Sequence, residues 1–81
     1  MINFMKAITV RVEKGYNLDV HTVIDKYVDT KGTHHVYLDG DDVYIGFETK
    51  TDIHEVANII KKTLYKVDTK IIGGLVIVKF R

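Results

Sequence analysis

Four histidines, His21, His34, His35 and His54, are the side chains of this chain best suited to bind a metal ion or move a proton. Their spacing decides whether they can act together. His34 and His35 are adjacent, so in a strand they point to opposite faces and cannot chelate one ion jointly. His21 and His54 fall in separate helical segments, and neither has a histidine four residues away. No metal-ligand spacing is therefore visible, and no metal is expected. Asp39-Gly40-Asp41-Asp42 shares its composition with part of a calcium loop, but it lacks the alternating oxygen ligands and the terminal bidentate glutamate. Asp and Gly are ordinary turn residues, so the segment reads as a solvated turn. Glu13, Glu48 and Glu55 stand apart from one another. There is no nucleophile–histidine–acid spacing, no phosphate loop and no dinucleotide fingerprint. No catalytic residue and no cofactor is expected, and the chain reads as a non-enzyme.

What remains is surface chemistry. Tyr37, Tyr44 and Arg11 are of the residue types that concentrate binding energy at interfaces. Lys61, Lys62, Lys66 and Lys70 make a modest basic patch, read first as the solvated end of a helix and second as weak contact with a phosphate backbone. The formal net charge of +1 argues against a protein built around nucleic acid. The absence of cysteine rules out a disulfide scaffold, a thiolate metal site and a cysteine nucleophile. With no signal-like apolar run at the start and no apolar stretch near the roughly 20 residues of a membrane span, a soluble, cytoplasmic domain is expected. At 81 residues it forms one domain, 1–81, with a thin core.

The elements that must position these residues are organised around residues 34–48. This stretch reads as a β-hairpin closed by Gly40-Asp41, with glycine first as a type II′ turn requires. In that register Val36, Leu38, Val43, Ile45 and Phe47 share one face, while His35, Tyr37, Tyr44, Gly46 and Glu48 share the other. Upstream, Ile2, Phe4, Ile8, Val10 and Val12 alternate with mostly polar residues as in a half-buried strand, firmest over 7–13. Asn17 or Asp19 then caps a helix with Val20, Val23, Ile24, Tyr27 and Val28 on one face, and Gly32 is its expected stop. Downstream, Asp52 and Glu55 form a capping-box pair before the stripe Ile53, Val56, Ile60 and Leu64. Leu75–Arg81 is a β-branched strand after Gly73-Gly74. Residues 67–72 are either a short strand hairpinned onto it or, the preferred reading, one strand with it through a glycine bulge.

The order β-α-β-β-α-β resembles the ferredoxin-like arrangement, an α+β sandwich with four antiparallel strands, two helices on one face and the other face open. Such a fold implies no function by itself. The open face would carry Thr9, Arg11, His35, Tyr37, Tyr44 and Glu48, joined by Leu75, Ile77 and Lys79 if Val76, Val78 and Phe80 turn to the helices. It is the expected binding site for another protein or for a second copy, as in a small inhibitor or adaptor of the kind that phages encode. A second expectation follows from Val43-Tyr44-Ile45-Gly46-Phe47-Glu48, which is similar to the third strand of an RNA-recognition motif. That resemblance implies single-stranded RNA or DNA held by Arg11, Tyr37 and Tyr44, assisted by Lys61, Lys62 and Lys66. A third is a ligand-sensing regulatory domain with a small molecule between subunits.

Overall fold

The computed structural model describes residues 4–81. Its elements are β1 (Lys6–Glu13), α1 (Asn17–Tyr27), β2 (Thr30–Asp39), β3 (Asp42–Thr49), α2 (Ile53–Leu64), β4 (Val67–Ile72) and β5 (Leu75–Phe80). The five strands form one sheet in the order β2-β3-β1-β5-β4. β3 is antiparallel to both β2 and β1, β4 is antiparallel to β5, and β5 runs parallel to β1. The result is an α+β architecture with a mixed, open sheet. Among the described residues no helix is long and apolar enough to cross a membrane.

The central hairpin has the expected register, with Val36 opposite Ile45, Tyr37 opposite Tyr44 and Leu38 opposite Val43. Gly40 takes a positive φ of 63° at the first turn position, which a side chain would disfavour. β1 begins at Lys6, so Phe4 precedes the strand and is exposed instead of lining the core. Ile2, placed at the head of that alternation, lies outside the described residues.

The C-terminal end departs from the expected four antiparallel strands. Residues 67–72 and 75–80 are two strands, not one with a bulge: Ile72 pairs with Leu75, and Gly73, at φ 59°, turns the chain between them. A bulge and a tight turn both call for glycine between apolar runs, so composition does not separate them. α2 packs on β4, which occupies the outer edge. The returning β5 then fills the place beside β1, and its direction is reversed relative to a single final strand.

The helices also differ in detail from their sequence signals. α1 starts at Asn17 with Tyr16 at the N-cap and no side-chain cap; the Asn17 carboxamide instead accepts a bond from Gly15 N–H at 3.3 Å. Its buried residues are Val20, Val23 and Ile24, while Tyr27 is exposed. Gly32 does not stop the helix. It sits inside β2 with φ 74°, within an irregularity between Lys31 and His35 where β2 carries two more residues than β3. Because that insertion is even, face parity is kept on both sides of it. Asp52 caps α2 as expected, accepting from His54 N–H at 3.0 Å.

The core lies between the helices and four of the strands. Val20, Val23 and Ile24 from α1 and Val56, Ala57 and Ile60 from α2 meet Ile8, Val10, Val12, Val43, Ile45, Phe47, Val67, Val76 and Val78. β2 contributes no buried residue. The widths explain this. Two packed helices, each about 10 Å across, span roughly 20 Å, whereas five strands at about 4.8 Å span roughly 24 Å. α2 is committed to the β4 side, so the strand left over is β2.

Candidate functional site

Across the open face the registers build two continuous rows. One runs Tyr37–Tyr44–Arg11–Ile77–Lys70, and the next runs His35–Gly46–Thr9–Leu75–Ile72. The structure thus brings together Arg11, His35, Tyr37, Tyr44, Leu75 and Ile77, all on one surface. Glu48 lies on the same face one row further, opposite Ala7 and Lys31. His35, Tyr37 and Glu48 are exposed, and Arg11, Tyr44, Leu75 and Ile77 are half-buried.

Within this face the tyrosines hold each other. Their rings stack at 5.0 Å between centroids and 3° between planes. One ring face of each is therefore occupied by the other. Arg11 Nε stands 3.8 Å from Asp42 Oδ2, so a carboxylate faces the guanidinium. Both features draw the platform away from nucleobases and phosphates. Lys61 and Lys62 belong to α2, in the layer behind the sheet, whereas Lys66 stands at the head of β4, its carbonyl accepting from Arg81 N–H at 2.9 Å. Lys61 and Lys62 therefore do not share a surface with the tyrosines assigned to the same nucleic-acid site.

The rim of this face is different in kind. Val36 and Leu38 point to the helix side, as their register demands, but the helices do not reach them. They are 50% and 62% exposed, and Tyr37 between them is 55% exposed. Sharing a face with Val43, Ile45 and Phe47 would put Val36 and Leu38 in the core beneath the helices. They lie outside it, because the fifth strand makes the sheet wider than its two helices. β2 is an edge strand, apolar on both of its faces over 36–38 and without proline. The two-residue loop makes Asp39 and Asp42 a hydrogen-bonded pair, and so by alternation are Tyr37 and Tyr44. Val36 and Leu38 then turn their N–H and C=O groups outward, toward whatever lies beside the edge.

A second constellation joins residues that the sequence keeps apart. His21 and Asp25 share one face of α1, and His34, on the helix side of β2, meets them. His21 Nε2 lies 2.7 Å from His34 Nδ1, and Asp25 Oδ1 lies 3.4 Å from His34 Nδ1 and 3.7 Å from His21 Nε2. His34 is the most enclosed of the three: its ring packs at 5.8 Å from Phe47, and its Nε2 is 3.0 Å from Thr30 Oγ1. The i,i+4 spacing of His21 and Asp25 was a visible signal. The third member was not, because it depends on a crossover of strand and helix. His54 and Asp52 form a separate pair at 3.2 Å at the exposed start of α2. There the bonds donated by the His54 backbone N–H and then by its ring hold the Asp52 carboxyl below its ordinary range.

No protein-family model matches the chain, and no curated protein matches it.

Proposed function

We propose that this chain is a non-catalytic interaction module whose partner is a second copy of itself, joined edge to edge through β2. The observation that carries this is the exposed run Val36-Tyr37-Leu38 on an edge strand with outward backbone groups. Natural edges of this kind are normally covered, charged or broken. A second copy fits because the segment is self-complementary. In a two-fold antiparallel pairing centred on Tyr37, Val36 of one chain faces Leu38 of the other, and His35 faces Asp39. The outward hydrogen-bonding groups of residues 36 and 38 meet in the same register. The two open faces then join into one surface with Tyr37 and Tyr44 of both copies at its centre. The scaffold supports a ferredoxin-like reading, with the β4–β5 hairpin standing in place of one final strand.

Molar mass measured by light scattering across a concentration series tests this. The expected result is a rise toward twice the chain mass, abolished by Val36→Lys with Leu38→Lys. The register has its own check, since the chain has no native cysteine. Tyr37→Cys should oxidise to a symmetric disulfide, because a non-hydrogen-bonded antiparallel pair sets Cα atoms about 4.5 Å apart. A chain that stays monomeric throughout, or a dimer indifferent to the paired lysines, overturns the proposal. A mass shift with single-stranded RNA at low salt would support the RNA-recognition reading in its place.

A further inference from the structure

We infer that His21, Asp25 and His34 bind a zinc-type divalent ion that clasps α1 to the start of β2. This site uses none of the edge residues 35–39, so it stands independently of the dimer. Three potential ligand atoms, one from each residue, lie within 4.8 Å of one another. A tetrahedral zinc site with bonds of about 2.0–2.1 Å sets neighbouring ligand atoms about 3.3–3.4 Å apart. The separations here, 2.7, 3.4 and 3.7 Å, bracket that value. The two imidazoles, with ring centroids 5.0 Å apart, now point their nitrogens at each other. Accepting the ion requires them to swing until both lone pairs converge as well as to part by about 0.6 Å, while Asp25 moves in by less.

His34 is the anchor, with its side chain 14% exposed. When its Nε2–H donates to Thr30 Oγ1, the Nδ1 lone pair points into the cluster and accepts from His21 Nε2–H, so ligation by both rings requires His21 to move its proton to Nδ1. His21 is one-quarter exposed and Asp25 is more than half exposed. The ion would therefore have one enclosed nitrogen ligand from His34, a more accessible one from His21, one carboxylate on the outer side and a fourth position for water. Two imidazoles with one carboxylate are a borderline donor set, suited to Zn2+ or Co2+ and poorly suited to Mg2+.

The test is calorimetric titration of the metal-free chain with Zn2+, and the visible spectrum of the Co2+ form. One ion per chain, a tetrahedral Co2+ spectrum and a thermal midpoint that rises with Zn2+ are expected. Asp25→Asn and His21→Gln change solvent-accessible helix positions and should leave the fold intact by circular dichroism. Each should lose the tetrahedral spectrum and the thermal shift. Thr30→Val should weaken binding about tenfold through the tautomer of His34. His54→Ala, which removes the other histidine–aspartate pair, should change nothing. Absence of binding, binding unaltered in Asp25→Asn and His21→Gln, loss of binding in His54→Ala, or Mg2+ protecting as well as Zn2+ would each overturn the assignment.

Discussion

The two edges of the sheet are built on opposite plans. β4 has α2 packed against it, buries Val67 and exposes Asp68 and Lys70. β2 has only its first residues near a helix, and over 36–38 it exposes apolar side chains on both faces. A helix backing and alternating charge close the first edge to further strands, and over residues 36–38 the second has neither. The difference is one of cover more than of sequence. Val36 and Leu38 have the same pattern and orientation as the buried Val43 and Ile45 beside them. Two helices are one strand too narrow for this sheet, and the C-terminal hairpin decides which strand is left out.

That contrast can be broken most directly in the interior. Ile45→Ala, at a position with no exposure, should cost about 2–5 kcal/mol in urea unfolding. Leu38→Ala, measured on dilute monomer, should stay within about 0.5 kcal/mol. Equal losses would mean that β2 is covered after all. Next, a single lysine should discriminate between the edges. Leu38→Lys should reduce association in light scattering, while Ile72→Lys at the β4 edge should leave it as it was. Comparable effects at both would remove the distinction.

A smaller effect is expected where the open face meets the β2 edge. A double-mutant cycle of Tyr37→Ala and Tyr44→Ala should return a coupling of about 0.5–1.5 kcal/mol for the stacked rings. A coupling near zero would leave the pair free for a partner. The smallest effect concerns Asp52, far from either edge. Its carboxyl is lowered in the folded chain, so its contribution is present above the unfolded carboxylate range and fades as pH falls through the folded value. Asp52→Ala should lower the thermal midpoint at neutral pH, and the gap from the parent chain should close on acidification. A gap that widened in acid would contradict the cap.

Much of this molecule was written locally. The alternation around Gly40-Asp41 specified the hairpin and its register, because a slip of one residue would have sent Val43 and Ile45 to the solvent side. The apolar stripe of α2 and its Asp52 cap were equally legible, since helical periodicity and capping are properties of a dozen consecutive residues. Arg11, Tyr37, Tyr44 and Ile77 fell on one face for the same reason: strand parity is local.

Tertiary structure decided the rest. Glycine at 73–74 permits a bulge or a turn, and only the packing of α2 over β4 made it a turn and the sheet five-stranded. From that followed the exposure of Val36 and Leu38, which no property of residues 34–48 contains. The meeting of His21, Asp25 and His34 likewise depends on a helix crossing a strand nine residues downstream of Asp25, at a place where β2 takes up two extra residues. Periodicity reports which way a side chain points along its own element. What lies opposite it depends on how many elements share the layer and where each one ends.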